Sequence, residues 1–146
     1  MNEELYTQLV QRCPVQFDQS ELDKLIEDVT YNIYVRKHFN SFKEVLTGIK
    51  DYEAQGYSLI PEQSRNAPNG GLYTLCFEMT EAEKEDSKKA AIEMLTEDYQ
   101  QQIEMEQGLF VQTAYKELEA LAEEQRKAEE LKARIKKNTS LLKLLN

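Results

Sequence analysis

The spacing of apolar residues changes along the chain and separates a mixed N-terminal part from a helical C-terminal part. Residues 2–12 and 20–29 place apolar side chains three and four positions apart, on either side of Pro14. This spacing predicts two short helices, because a helix brings such positions onto one face. Ser20, with Asp23 three residues later, is the expected cap of the second helix.

From residue 29 onwards the pattern changes to alternation. Residues 29–36 alternate β-branched or aromatic side chains with mostly polar ones, which predicts a strand within 29–38. Ser41 followed by Glu44 is a capping box, and the helix that it begins is expected over 42–54. That helix is expected to bury one apolar stripe against the sheet, formed by Phe42, Val45, Leu46 and Ile49.

Two further alternating stretches, 57–60 and 73–79, flank a turn region rich in Asn, Pro and Gly at 64–71. They are the expected arms of a hairpin. The predicted fold class is therefore α+β: a small three-stranded antiparallel-type sheet with one packed helix, followed by a long helical C-terminal arm. We expect two domains, residues 1–79 and residues 80–146.

The chain after Thr80 contains no Pro and a single Gly, which favours long helices. Thr80 and Glu83 form a capping box, so one helix is expected over 81–106 and a second over 109–137. Gly108 is expected to break the run between them, because a glycine inside a helix costs about 1 kcal/mol.

A heptad-like seam runs along the second of these helices. Apolar residues recur in steps of three and four, and the predicted interface consists of Leu121, Ala128, Leu131, Ile135, Leu142 and Leu145. Glu124 and Asn138 occupy the same seam, and Leu118 lies outside its register. Such a seam predicts either self-association or packing onto the N-terminal part of the same chain, and both alternatives stay open.

Charge narrows the range of partners. The formal net charge is −9, so the chain as a whole repels nucleic acid and anionic lipid. No stretch approaches the roughly 18 apolar residues that span a membrane, and the acidic N-terminus does not have the layout of a signal peptide. We expect a cytoplasmic protein that binds no membrane, with Cys13 and Cys76 as unpaired structural thiols.

Two charged clusters stand out. An acidic face is expected on the predicted helix 81–106, formed by Glu83, Asp86, Glu93, Glu97 and Glu104. A small basic patch is expected at Arg36, Lys37, His38 and Lys43. The acidic face is either a solvated surface or a mimic of nucleic acid. The basic patch either binds an acidic partner or pairs with the acidic helices of its own chain.

The sequence carries no pattern typical of catalysis. His38 is the only histidine, and no motif links it to a serine or cysteine nucleophile. The sequence also lacks the usual metal-binding motifs, a phosphate-binding glycine loop and a calcium loop. We therefore expect that the protein is not an enzyme and that it has no catalytic residue, no metal site and no cofactor.

A Gly–aromatic–x–aliphatic motif closes the predicted helix, within the stretch Tyr52-Glu53-Ala54-Gln55-Gly56-Tyr57-Ser58-Leu59-Ile60. With this motif, residues 31–79 resemble small strand–helix–strand–strand domains of unknown function found in bacteria and phages. That family often has Trp at the position of Tyr57. The resemblance implies a compact three-stranded sheet with one helix on its face and an accessory protein of a phage or bacterium. It transfers no catalytic residue to this chain.

These features predict a non-enzymatic adaptor or assembly protein whose helical arm forms a homo-oligomer, most simply a dimer, or binds a protein partner. The alternative prediction is an acidic inhibitor that imitates nucleic acid and targets a host DNA- or RNA-acting protein. The two differ in their response to salt, because salt screens exposed charges and leaves apolar burial intact.

Overall fold

The fold is described from a computed structural model for residues 1–67 and 71–145. Its elements are α1 (Glu3–Arg12), α2 (Gln19–Glu27), β1 (Tyr34–Phe39), α3 (Phe42–Ala54), β2 (Ser58–Leu59), a 3₁₀ turn (Pro61–Gln63), β3 (Arg65–Asn66), β4 (Tyr73–Glu78) and α4 (Glu81–Leu145). The class is α+β, as predicted, with a small antiparallel sheet and a long C-terminal helix. The middle of the predicted turn region, residues 68–70, lies outside the described residues.

The compact units differ from the predicted division at residue 79. One unit is Asp18–Tyr99, which contains the sheet. The other combines Met1–Phe17 with Gln100–Asn146. The two ends of the chain therefore belong to one unit, a pairing between distant segments that no local pattern in the sequence announces.

The strand β4 is central in the sheet. It pairs antiparallel with β1 on one side, where Val35 lies opposite Phe77, and with β2 and β3 on the other. The predicted hairpin is confirmed in the pairing of Leu59 with Phe77. The two-residue strand β3 is an addition to the three strands predicted. The core consists of Val45, Leu75 and Phe77, with Val35, Phe39, Ile49, Tyr52, Tyr57, Leu59 and Tyr73 packed against it.

The first strand begins later than predicted. Residues 29–33 are irregular, and β1 starts at Tyr34 because β4 ends opposite it at Glu78. Residues before Tyr34 therefore have little strand to pair with. The strand ends at Phe39, close to the predicted end, and its alternation places Lys37 on the same face as Val35.

The helix α3 packs on the sheet through a stripe that differs from the predicted one. Phe42 and Leu46 are 62% and 55% exposed, so the prediction that they are buried is wrong. The ring of Phe39 lies over Gly48, where an added Cβ would be 2.6 Å from the ring Cζ. This close approach fixes the rotation of the helix, and its inward stripe is Val45, Gly48, Ile49 and Tyr52.

Side-chain caps set where two of the helices begin. Ser41 begins α3 as predicted, and its hydroxyl accepts the N–H of Glu44 at 3.2 Å. α2 begins earlier than predicted, because Asp18 rather than Ser20 is its cap. The Asp18 carboxylate accepts the N–H of Ser20 at 2.9 Å. Aspartate is as good a cap as serine, so the residue that comes first takes this role.

α4 is one uninterrupted helix, so the predicted break at Gly108 is wrong. The residues around Gly108 are held by contacts within their own unit. The side-chain amide of Gln107 donates to the carbonyl of Val15 at 3.0 Å, and Val111 is only 1% exposed. Such contacts offset the cost of about 1 kcal/mol that a glycine imposes on a helix.

Candidate interaction surfaces

Residues 116–145 of α4, here called the arm, are all exposed in the single chain. Five of its large apolar side chains are between 55% and 82% exposed: Leu121, Leu131, Ile135, Leu142 and Leu145. Exposed apolar side chains are common singly, but a contiguous set marks an interaction surface. The arm is therefore the first candidate site.

The predicted interface residues lie along one side of the arm. A helix turns about 100° per residue, so Leu121, Ala128, Leu131, Ile135, Leu142 and Leu145 fall within a sector of about 120°. Glu124 and Asn138 lie in the same sector, and Leu118 lies about 60° outside it. The helical geometry thus brings together the residues of the predicted seam, with two polar positions among them.

The charges of the arm are mostly solvated. Within the arm, Arg126 forms an ion pair with Glu123 at 2.6 Å, and both side chains are largely exposed. Lys127, Lys132 and Arg134 occupy positions that adjoin the seam in a heptad. Among the described residues these three side chains form no ion pair, so their charges are available to a second helix.

Glu83, the first residue of the predicted acidic face, is already bound within the chain. Its carboxylate accepts a hydrogen bond from the hydroxyl of Tyr57, and its N–H donates to the Thr80 hydroxyl at 3.2 Å. The hydrogen bond to Glu83 raises the pKa of Tyr57 above its ordinary value, with burial as a second cause. Glu83 thus anchors the start of α4 to Tyr57, the residue before β2.

The other acidic-face residues are exposed. Asp86, Glu93 and Glu97 lie on one side of α4 in the unit Asp18–Tyr99, whereas Glu104 belongs to the other unit. Nearby Lys84 does not neutralise these acidic side chains, because its ammonium binds Glu78 at 2.7 Å and Glu81 at 3.3 Å. Its hydrogen bond to Glu78 raises the pKa of Lys84.

The four residues of the predicted basic patch do not share one face. Arg36 and His38 are exposed on one face of β1. Lys37 points to the opposite face, where its ammonium lies 5.6 Å from the centre of the Tyr52 ring in a cation–π contact. Lys43 lies on α3 and lines a groove there.

That groove has a volume of about 730 Å³ and lies beside α3. Phe39 and Tyr52 line its apolar part, and Glu44, Asp51 and Gln55 line its polar part. Sequence reasoning missed this groove. The only signal was Gly48 within a strongly amphipathic helix, since a glycine there permits an aromatic ring to approach the backbone.

His38 and the two thiols are the side chains on which nucleophilic catalysis could depend. The Nδ1 atom of His38 lies 3.0 Å from the hydroxyl of Thr74 on β4. Cys13 and Cys76 are buried and free, and the Cys76 thiol lies 3.5 Å from the side-chain oxygen of Gln63. Within residues 1–67 and 71–145 no group of three or more His, Cys, Asp or Glu is arranged to hold a metal ion.

Comparison with known proteins adds no relative. No protein-family model, no curated protein and no solved structure matches this chain. Among the described residues no helix combines the length and the apolar character needed to cross a bilayer. The resemblance to small bacterial and phage domains stays a prediction, and a function has to be inferred from the surfaces described above.

Proposed function

We propose that the protein is a non-enzymatic assembly or adaptor protein whose arm associates with the arm of a second copy. The observation that carries this proposal is the exposure of every residue of the arm, together with the apolar seam along one side. In proteins most helix stability comes from packing, and no residue of the arm is packed in the single chain. Packing of an amphipathic face is the usual source of helix stability, and the seam offers such a face.

The energy of this association can be estimated from the exposed side chains. Full burial of a leucine contributes about 1.5–3 kcal/mol, and the five large seam residues have more than half of their surface open. Burial of what remains exposed gives about 1 kcal/mol per residue, or at most roughly 10 kcal/mol for two copies when all five are buried. Association costs about 4–15 kcal/mol, so this burial is of the size that formation of a dimer requires.

The distribution of charge favours an antiparallel pair. In a parallel pair, Lys127 of one copy would face Lys132 of the other, and like charges at these positions repel. An antiparallel pair instead sets residues 126–137, with six basic and two acidic residues, beside residues 117–124, with four acidic and no basic residues.

Light scattering tests the proposal on the full chain over about 1–500 μM. We expect an oligomer that the double substitution Leu131→Glu with Ile135→Glu converts to a monomer. Ala133→Glu is the matched control, because it adds a carboxylate to the opposite side of the same helix turn. A full chain that is monomeric throughout this range contradicts the proposal, and so does a double variant that remains oligomeric.

The second candidate function is the acidic mimic of nucleic acid. Asp86, Glu93 and Glu97 favour it, because they are exposed on one side of α4. An interaction built on them weakens steeply with salt, whereas the apolar seam is insensitive to salt. Measurement of oligomerisation and of partner capture at low and high salt therefore separates the two functions.

The free, buried cysteines support the proposal of a cytoplasmic protein.

A further inference from the structure

β1 is an edge strand whose outer side is open. Among the described residues it pairs only with β4. The carbonyl of Ile33 accepts the N–H of Met79 at 2.7 Å. Hydrogen bonds to β4 are therefore formed by Ile33 and by every second residue after it. The N–H and C=O groups of Tyr34, Arg36 and His38 therefore point away from the sheet.

The first of these three residues is satisfied locally. The side-chain amide of Asn32 donates to the Tyr34 carbonyl at 2.8 Å, and its oxygen accepts the Tyr34 N–H at 3.1 Å. Over the described residues, no comparable contact occupies the outward backbone groups of Arg36 and His38. These groups form a short row of unpaired donors and acceptors, which is a template for an added strand.

We propose that the outer edge of β1 binds an extended segment of another protein as an added strand, and that acidic and large apolar residues alternate along that segment. Successive side chains of a strand point to opposite faces, so each face of the added strand meets a different environment. Each face of β1 therefore determines which type of residue the segment carries at every second position.

One face of β1 selects acidic residues. Arg36 and His38 are exposed there, next to the position that an added strand would occupy. Opposite charges on neighbouring strands attract when they lie directly opposite or diagonally. Acidic side chains on this face of the added strand would thus be held by Arg36.

The other face selects apolar residues. There the added strand would meet Phe39 and the groove that Tyr52 lines. Glu44 and Asp51 line this groove together with Lys43, and Lys37 lies over the Tyr52 ring on the same face, so opposite charges balance there and give acidic residues no net attraction. Apolar side chains bury surface against the rings of Phe39 and Tyr52, and the alternation of the segment follows.

A second copy of β1 fits this edge poorly. Antiparallel pairing centred on Arg36 or Lys37 would place that residue opposite its own equivalent, which is destabilising. Pairing centred on His38 would need the N–H of Asn40, which already donates to the Glu44 carboxylate at 2.9 Å. A strand from a different, acidic chain avoids both obstacles.

The test uses the full chain and a synthetic peptide of about eight residues in which Glu alternates with Val or Tyr. Fluorescence anisotropy measures affinity, and amide chemical shifts report where the peptide binds. We expect saturable binding below 1 mM with shifts centred on β1, and at least about tenfold weaker binding of a peptide with Lys in place of Glu. No binding at 1 mM, or equal binding of both peptides, overturns the proposal.

Two variants separate backbone pairing from side-chain contact. His38→Pro removes an outward N–H at an edge position where proline is tolerated, and about a tenfold loss of affinity is expected. His38→Ser is the matched control, because it removes the imidazole and keeps the N–H. Equal affinity of the two variants overturns strand addition. The proposal does not depend on the arm, so the chain with Leu131→Glu and Ile135→Glu should bind the peptide unchanged.

Discussion

Alanine at Gly48 tests the packing that sets the orientation of α3. In the interior of a helix, Gly→Ala stabilises by about 1 kcal/mol when nothing obstructs the new methyl group. At Gly48 the methyl carbon would lie 2.6 Å from the Cζ atom of Phe39, well inside van der Waals contact. Overpacking of this kind costs about 1–3 kcal/mol, so the expected net effect is a loss of about 1 kcal/mol.

Gly108 provides the matched control in the same chain. An added methyl group there meets no atom within 4 Å, so Gly108→Ala should stabilise by about 1 kcal/mol. Urea unfolding followed by far-ultraviolet circular dichroism measures both changes as shifts of the midpoint in opposite directions. In a Phe39→Leu background the obstruction is removed, and Gly48→Ala should become stabilising. The reasoning is refuted if Gly48→Ala stabilises the Phe39 chain as much as Gly108→Ala does.

Two further predictions concern titration and helix capping. Because the Glu83 carboxylate raises the pKa of Tyr57 above 10.0, Glu83→Gln should lower that pKa, as seen by NMR of the labelled tyrosine ring; an unchanged value contradicts the contact. A raised pKa means that this contact stabilises the fold fully below pH 10 and that its contribution is lost as pH rises through the folded-state pKa. Asp18→Ala should destabilise by about 1 kcal/mol, whereas Ser20→Ala should change stability by less than about 0.5 kcal/mol in urea titration. A larger loss of stability for Ser20→Ala than for Asp18→Ala would indicate that Ser20 is the cap.

The sequence by itself determined the features that depend on neighbouring residues. The start of α3 followed from Ser41, because a hydroxyl three residues before an unpaired N–H is a local arrangement. The alternation over 73–79 placed Leu75 and Phe77 in the core for the same reason, since a strand turns successive side chains to opposite faces. The seam of the arm is equally local, because helical geometry alone aligns its residues.

Only the tertiary structure decided features that depend on residues far apart in the chain. β1 begins at Tyr34 because its partner strand ends opposite that residue, and α3 exposes Leu46 because the ring of Phe39 occupies the surface over Gly48. Gly108 continues a helix that local propensity would interrupt, since its unit supplies compensating contacts.

The same distinction applies to the candidate sites. The charges of Arg36, Lys37 and His38 are plain in the sequence, but their division between two faces depends on the register of β1 with β4. The open edge of β1 is likewise a property of strand order, which pairing between distant segments creates. Local patterns fix the direction of a side chain along its own element, whereas contacts between elements decide which of those side chains remain available to a partner.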